Sequence, residues 1–146
     1  MVSMVYKAFH QIRSVGQVRL FKSDRPDYPD GGQQRDFVYV KDCVDVLWWF
    51  LEHPHVAGLF NLGTGRARTW NDLTSAVFSA LALPPRIEYV DMPSALVGRY
   101  QYFTQADMTK LRHLGYAAEF ATLEDAVRDY VVNYLATDKP HLRKSE

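Results

Sequence analysis

Apolar residues recur at helical spacing from the start of the chain. Met4, Val5, Ala8, Phe9 and Ile12 predict an amphipathic helix over about 3–14, closed by Gly16. That helix has no lead-in loop or cap of its own, so the chain is expected to begin in the middle of something. Val18-Arg19-Leu20-Phe21 reads as a strand. The organising stretch is Arg35-Asp36-Phe37-Val38-Tyr39-Val40-Lys41-Asp42. Its β-branched and aromatic run over residues 37–40 predicts a strand buried on both faces. Asp42 is the expected N-cap of a helix that runs to about His53 and is stopped by Pro54. Gly58-Leu59-Phe60-Asn61-Leu62-Gly63-Thr64-Gly65 then reads as a second apolar strand ending in glycines. Strand, helix and strand at this spacing predict one right-handed βαβ crossover over 36–63.

The helix after Asp42 is apolar nearly all round. Val44, Leu47, Trp48 and Leu51 form one stripe, and Cys43, Val46 and Phe50 form another. Asp45 and Glu52 are left on a polar side that also holds Trp49. Such a helix should be buried on more than one side, and 146 residues hardly supply the cover, so a partner layer is expected. Three threonines, Thr69, Thr104 and Thr122, each precede an acid by three residues and predict capped helix starts. The helices after Thr69 and Thr122 carry clear apolar stripes. The one after Thr104 is short, with Met108, Leu111 and Leu114 closed by Gly115. Ile87-Glu88-Tyr89-Val90 reads as a half-buried strand, while 22–34 is a long polar loop of the kind that is more often functional than accidental. The class is α/β with about four strands: one domain over 1–136 and a polar tail over 137–146.

Composition narrows the function classes. Seventeen basic and seventeen acidic residues cancel, which removes the electrostatic case for a nucleic-acid or anionic-membrane binder. A single cysteine, Cys43, excludes an internal disulfide and a multi-cysteine zinc site, and reads as a small buried apolar residue. The longest apolar run, 46–51, is far short of a membrane span, and no secretory pattern opens the chain. The expected location is cytoplasmic.

No self-sufficient active site is visible. Gly63-Thr64-Gly65 superficially suits phosphate, but it lacks the third glycine of a dinucleotide motif and the lysine of a P-loop, so a tight turn is the expectation. No Tyr-x-x-x-Lys occurs, there are no paired carboxylates, and His53-Pro54-His55 has no third ligand, so no metal is expected. Arg35 is a planar fork suited to phosphate or carboxylate. His10 lies near the end of the first helix, and Gly98-Arg99-Tyr100-Gln101 offers cation, ring and amide together; each is equally readable as ordinary surface.

Together, Arg35-Asp36-Phe37-Val38-Tyr39-Val40 and the 58–65 run resemble the C-terminal half of extended short-chain dehydrogenase/reductase enzymes that act on nucleotide sugars. Ala8-Phe9-His10, Gly65-Arg66-Ala67 and above all the run from Gly98 to Asp107 narrow the resemblance to the ADP-L-glycero-D-manno-heptose 6-epimerase family, over residues 1 to about 135. The resemblance implies a Rossmann domain binding NADP and a smaller domain binding an ADP-sugar. The cofactor transiently oxidises C6 of the heptose and returns the hydride to the other face, making a precursor of the lipopolysaccharide core. This chain would be the substrate-binding portion, with one βαβ unit belonging to the Rossmann sheet and the N-terminal Rossmann half missing.

Carried over position by position, the resemblance implies substrate contacts from Ser3, His10, Phe21, Lys22, Ser23, Asp24, Arg35 and Tyr100. Arg35 would serve the pyrophosphate, and Tyr100 and His10 the sugar or adenosine end. Departures bear on chemistry. The tyrosine base is absent, Met1 stands where the family carries a lysine, and the 22–34 loop differs from the family pattern. The chain alone is therefore expected to have no catalytic residue, to bind no NADP and to be inactive. Its expected partners are an ADP-sugar, the Rossmann half and a homo-oligomer. The rival readings are a fragment of another nucleotide-sugar epimerase or dehydratase, and a non-catalytic binding or oligomerisation module.

Overall fold

A computed structural model describes residues 2–137, so Met1 and the tail positions 138–146 of the sequence reading lie outside the described residues. In chain order the elements are α1 (Met4–Val15), β1 (Val18–Phe21), β2 (Gln34–Arg35), α2 (Val40–Glu52), β3 (Arg68–Thr69), α3 (Trp70–Ala80), β4 (Ile87–Val90), α4 (Thr109–His113) and α5 (Leu123–Tyr130). A π-helical turn, Val131–Leu135, continues α5.

The main core lies where α1, α3 and α5 meet. Ala8, Phe9 and Ile12 pack with Leu73, Ala76, Val77 and Phe78, and with Leu123, Val127 and Val131. These are the apolar stripes that the helical spacing predicts. Alternation along β1 sends Val18 and Leu20 into the same core. β1 pairs in parallel with β4, Val18 opposite Ile87 through Phe21 opposite Val90. β2 pairs antiparallel with β3, Gln34 opposite Thr69 and Arg35 opposite Arg68. A second, smaller core forms under α2, where Val46 packs with Met108, Leu111 and Tyr116.

The expected caps divide. Thr69 and Thr122 accept from the amides of Asp72 and Asp125, and at Thr69 the capping box is complete. Thr104 caps nothing, because the short helix starts only at Thr109, whose amide donates to the Asp107 carboxylate at 2.9 Å. α1 does have a cap, contrary to the sequence reading: the Ser3 hydroxyl accepts from the Tyr6 amide at 3.2 Å. Gly16 closes it in the left-handed conformation, as expected.

The crossover expected over 36–63 is present only as helix. Residues 37–39 and 58–65 carry no ladder bond among the described residues, and α2 begins at Val40 with Tyr39, not Asp42, at the cap. A β-branched run becomes a strand only beside a neighbour that takes its amides and carbonyls, and no described segment does so here. Val38 and Val40 are exposed, so the run is not buried on both faces. Asp42 instead accepts from the Ala121 amide at 3.1 Å, tying α2 to the segment before α5.

The polar-side placement of Trp49 is also corrected. Its ring stacks on His53 at 4.3 Å and meets Tyr116 edge-on at 5.7 Å. The other stripe of α2 is bare: Leu47 and Trp48 are each 61% exposed and Leu51 is 73% exposed.

Two carboxylates join segments distant in sequence. Asp129 on α5 accepts from the Tyr39 hydroxyl at 2.5 Å, from the Lys41 ammonium at 2.6 Å and from the Asn133 amide at 2.6 Å. Lys41 first, then Tyr39 and Asn133, hold its carboxyl down at about 2, while burial and then Asp129 push the Tyr39 phenol up to about 12. Asp36 closes the glycine turn. It accepts from the Thr64 amide at 2.8 Å, the Thr64 hydroxyl at 2.5 Å, the Gly65 amide at 2.9 Å and the Ala106 amide at 3.0 Å. At Gly63 a methyl group would come within 2.5 Å of this carboxylate and 2.6 Å of the Ala106 side chain, which is why the position takes glycine.

Candidate functional site

Backbone pairing decides where Arg35 stands. Residues 33–35 run between two other segments: Trp70 donates to the Gln33 carbonyl at 3.2 Å, and Gln34 donates to the Tyr102 carbonyl at 2.8 Å. The short β2–β3 ladder and the cap that follows it set Arg35 beside the first residue of α3. Its guanidinium lies over the Trp70 ring at 5.8 Å and the Tyr100 ring at 5.3 Å. Both distances are within the range of cation–π contact. The Arg35 side chain donates to the adjacent Gln34 carbonyl at 2.7 Å and has no carboxylate partner among the described residues.

These rings border a cleft of about 500 Å³ lined by Ser3, Lys7, Gln11, Arg19, Phe21, Trp70 and Tyr100 with their neighbours. That volume falls within the usual range for a small-molecule site. Phe21 meets Tyr100 edge-on at 6.0 Å. Of the residues the resemblance implies, Ser3, Phe21 and Tyr100 line this cleft and Arg35 adjoins it.

Lys22, Ser23, Asp24 and His10 are not among the lining residues. Lys22 pairs with Asp91 at 2.9 Å, and the Ser23 amide donates to Asp30 at 2.7 Å. The Asp24 carboxylate accepts from the Tyr102 hydroxyl and, at 2.8 Å, from the Gly98 amide. Tyr102 first and Gly98 second hold that carboxyl below its ordinary range. His10 is exposed, its ring against Tyr6 at 4.2 Å.

Asp24 thereby anchors the 22–34 loop to the segment carrying Tyr100. Tyr102 also receives the Asp24 amide at 2.8 Å, and Arg25 lies 5.1 Å over the Tyr102 ring. Tyr102→Phe is expected to release the loop, so limited proteolysis within 22–34 should run roughly 5–10-fold faster than in the wild type. Equal cleavage rates would show that the hydroxyl is not what pins it.

Lys7, Gln11, Arg19 and Trp70 were not singled out by the sequence reading. Ser3, Lys7 and Gln11 follow one another at four-residue spacing, so a common face of α1 was the available signal. Arg19 is spoken for by Glu88 at 2.8 Å, and its amide donates to Gln11 at 2.9 Å. The Trp70 indole nitrogen is buried without a hydrogen-bond partner. An apolar cavity of about 300 Å³, between Val5, Phe37, Leu73, Val127 and Tyr130, adjoins the cleft and shares Ser3, Met4 and Trp70 with it.

Among the described residues no cluster of histidine, cysteine or carboxylate side chains is arranged to hold a metal ion, and no helix is long and apolar enough to cross a membrane. What the cleft offers is recognition: exposed cations beside aromatic faces. The described residues assemble no general base with a nucleophile.

Residues 1–63 match the NAD dependent epimerase/dehydratase family. The chain is 58% identical to the ADP-L-glycero-D-manno-heptose-6-epimerase of Nitratidesulfovibrio vulgaris strain Hildenborough, over 97% of its own length and 44% of that protein's. It thus spans about half the length of the curated relatives it matches. Among solved structures, the Helicobacter pylori ADP-L-glycero-D-manno-heptose-6-epimerase superposes with a TM-score of 0.70 at 25% identity, over 94% of this chain and 39% of that one. The UDP-N-acetylglucosamine 4-epimerase of Methanobrevibacter ruminantium M1, solved with UDP-N-acetylmuramic acid, gives 0.70 at 20% identity over 88% and 37%. The resemblance to heptose epimerases holds, and with it the α/β class of the extended short-chain dehydrogenase/reductase fold.

The matched family is described as NAD dependent, and the glycine turn of this chain does not fit a dinucleotide pyrophosphate. The Thr64 and Gly65 amides that could cradle an anion already donate to Asp36.

Proposed function

We propose that this chain forms the ADP-sugar-binding part of an ADP-L-glycero-D-manno-heptose 6-epimerase. One observation carries the reading: Tyr100, Phe21 and Ser3 line one cleft from three segments, and Arg35 adjoins it over the Tyr100 ring. The 58% identity over nearly the whole chain supports the ADP-heptose assignment. In this reading the Arg35 fork takes the diphosphate, the Tyr100 and Trp70 faces take a ring, and the Ser3 hydroxyl takes a sugar or ribose oxygen.

The full enzyme would interconvert the two C6 epimers with NADP, on a Rossmann half supplied from outside these 146 residues, in the cytoplasm and as a homo-oligomer. No step of that chemistry runs through the residues described above. The pure chain with NADP is expected not to turn over ADP-heptose, and epimer interconversion followed by NMR would overturn this. Calorimetric titration tests the binding reading. ADP-sugar should bind, UDP-sugar weakly and NADP not at all. Preference for UDP- or dTDP-sugars would favour a sibling epimerase or dehydratase.

The exposed stripe of α2 favours a second reading, an association module. Light scattering separates the two: a monodisperse monomer that binds ADP-sugar excludes the module.

A further inference from the structure

The cations around the cleft differ in how far their charge is already spent. Arg19 is held by both oxygens of Glu88, at 2.8 and 3.3 Å, and adds little net field. Outside the cleft Lys22, Lys41 and Arg68 are likewise paired with carboxylates. Lys7 lines the cleft one helical turn beyond Ser3, is exposed, and has no carboxylate or other side-chain hydrogen-bond partner among the described residues. Arg35 is the other cation at this cleft without a carboxylate, and the two meet the same surface: Lys7 lines the cleft with Trp70 and Tyr100, the two rings under the Arg35 guanidinium. In a chain whose basic and acidic residues cancel, this cleft therefore has two uncompensated positive charges at its rings.

We propose that Lys7 is a second, specificity-determining contact for the diphosphate of a nucleoside diphosphate, in the cleft that Arg35 adjoins. The inference rests on the nucleotide-sugar reading above and adds to it a residue and a rule of two phosphates for two cations. A diphosphate diester has two negative charges, which Arg35 and Lys7 match. Arg35 offers a fixed fork and Lys7 a mobile point charge on a flexible stem, able to follow the second phosphate. The pair discriminates by the number of phosphates: ADP, like the diester, offers one phosphate to each cation and binds well, AMP offers one phosphate to the pair and binds less well, and adenosine retains only ring stacking.

The test is calorimetric titration of the full 146-residue chain with ADP, AMP and adenosine, for the wild type, Lys7→Met and Lys7→Arg. Methionine keeps most of the stem and removes the charge at an exposed position, so folding is not at stake. Lys7→Met should bind ADP about 10-fold more weakly, bind adenosine as the wild type does, and show a shallower loss of ADP affinity with added salt. Lys7→Arg should restore ADP binding. If wild type binds ADP and Lys7→Met binds it equally well, the Lys7 assignment is overturned while the nucleotide-sugar reading stands. If wild type binds none of the three ligands, both fall.

Discussion

Asp36→Ala is expected to destabilise the protein by about 3 kcal/mol, a large loss for a half-buried residue. The carboxylate takes four hydrogen bonds from Thr64, Gly65 and Ala106, and so fastens the glycine turn and the 103–107 segment to the end of β2. Removing it leaves three amides facing a gap. Unfolding followed by circular dichroism should show a midpoint lower by about 10 °C, given the usual scaling for a chain of this length.

Asp36→Asn keeps the shape but turns an NH₂ group or a single carbonyl toward donors on both sides, so it should lose about half as much. The pH dependence separates charge from shape. Burial opposes ionisation of Asp36, but bonds from Thr64, Ala106 and Gly65 outweigh it and hold the carboxyl below the ordinary carboxylate range. A lowered folded value means its contribution is fully present above about pH 4 and fades as pH falls through the folded value. The stability gap between wild type and Asp36→Asn should therefore narrow on acidification. A gap that stays constant with pH would assign the effect to packing.

Arg35→Ala should weaken ADP-sugar binding about 100-fold, with little change in stability. The two outcomes separate because the β2–β3 pairing is made by the backbone, and the side chain bonds only to its own neighbour's carbonyl. Arg35→Lys keeps the charge but loses the planar fork and the stacking on Trp70 and Tyr100, and should cost about 10-fold. Calorimetry reads both. An affinity unchanged in Arg35→Ala would remove this arginine from the site and leave the ring faces as the principal contacts.

Local signals in the sequence were reliable where the physics is local. Thr69 and Thr122 lie at helix starts because a hydroxyl reaches the amide three residues on whatever surrounds it. The stripes of α1, α3 and α5 identified their own buried faces, and alternation along β1 did the same. Arg35 and Tyr100 are legible as candidates through resemblance.

What failed was each inference that needed a distant partner. Residues 37–40 are not a strand here because no described segment takes their hydrogen bonds. Asp42 is no cap, since a distant amide, that of Ala121, claims it. The fold places Tyr102 and Gly98 on the two oxygens of Asp24, partners that no local spacing announces.

The sequence by itself determined the helices, the caps at Thr69 and Thr122, the cancelled charge and the family likeness, because these depend on neighbours within a turn or on composition. Only the tertiary structure decided which charges are free. Pairing in space brings Glu88 to Arg19 and Asp91 to Lys22, and leaves Lys7 and Arg35 uncompensated beside Tyr100. No spacing along the chain encodes that difference, because partners about seventy residues apart meet only through the β1–β4 register.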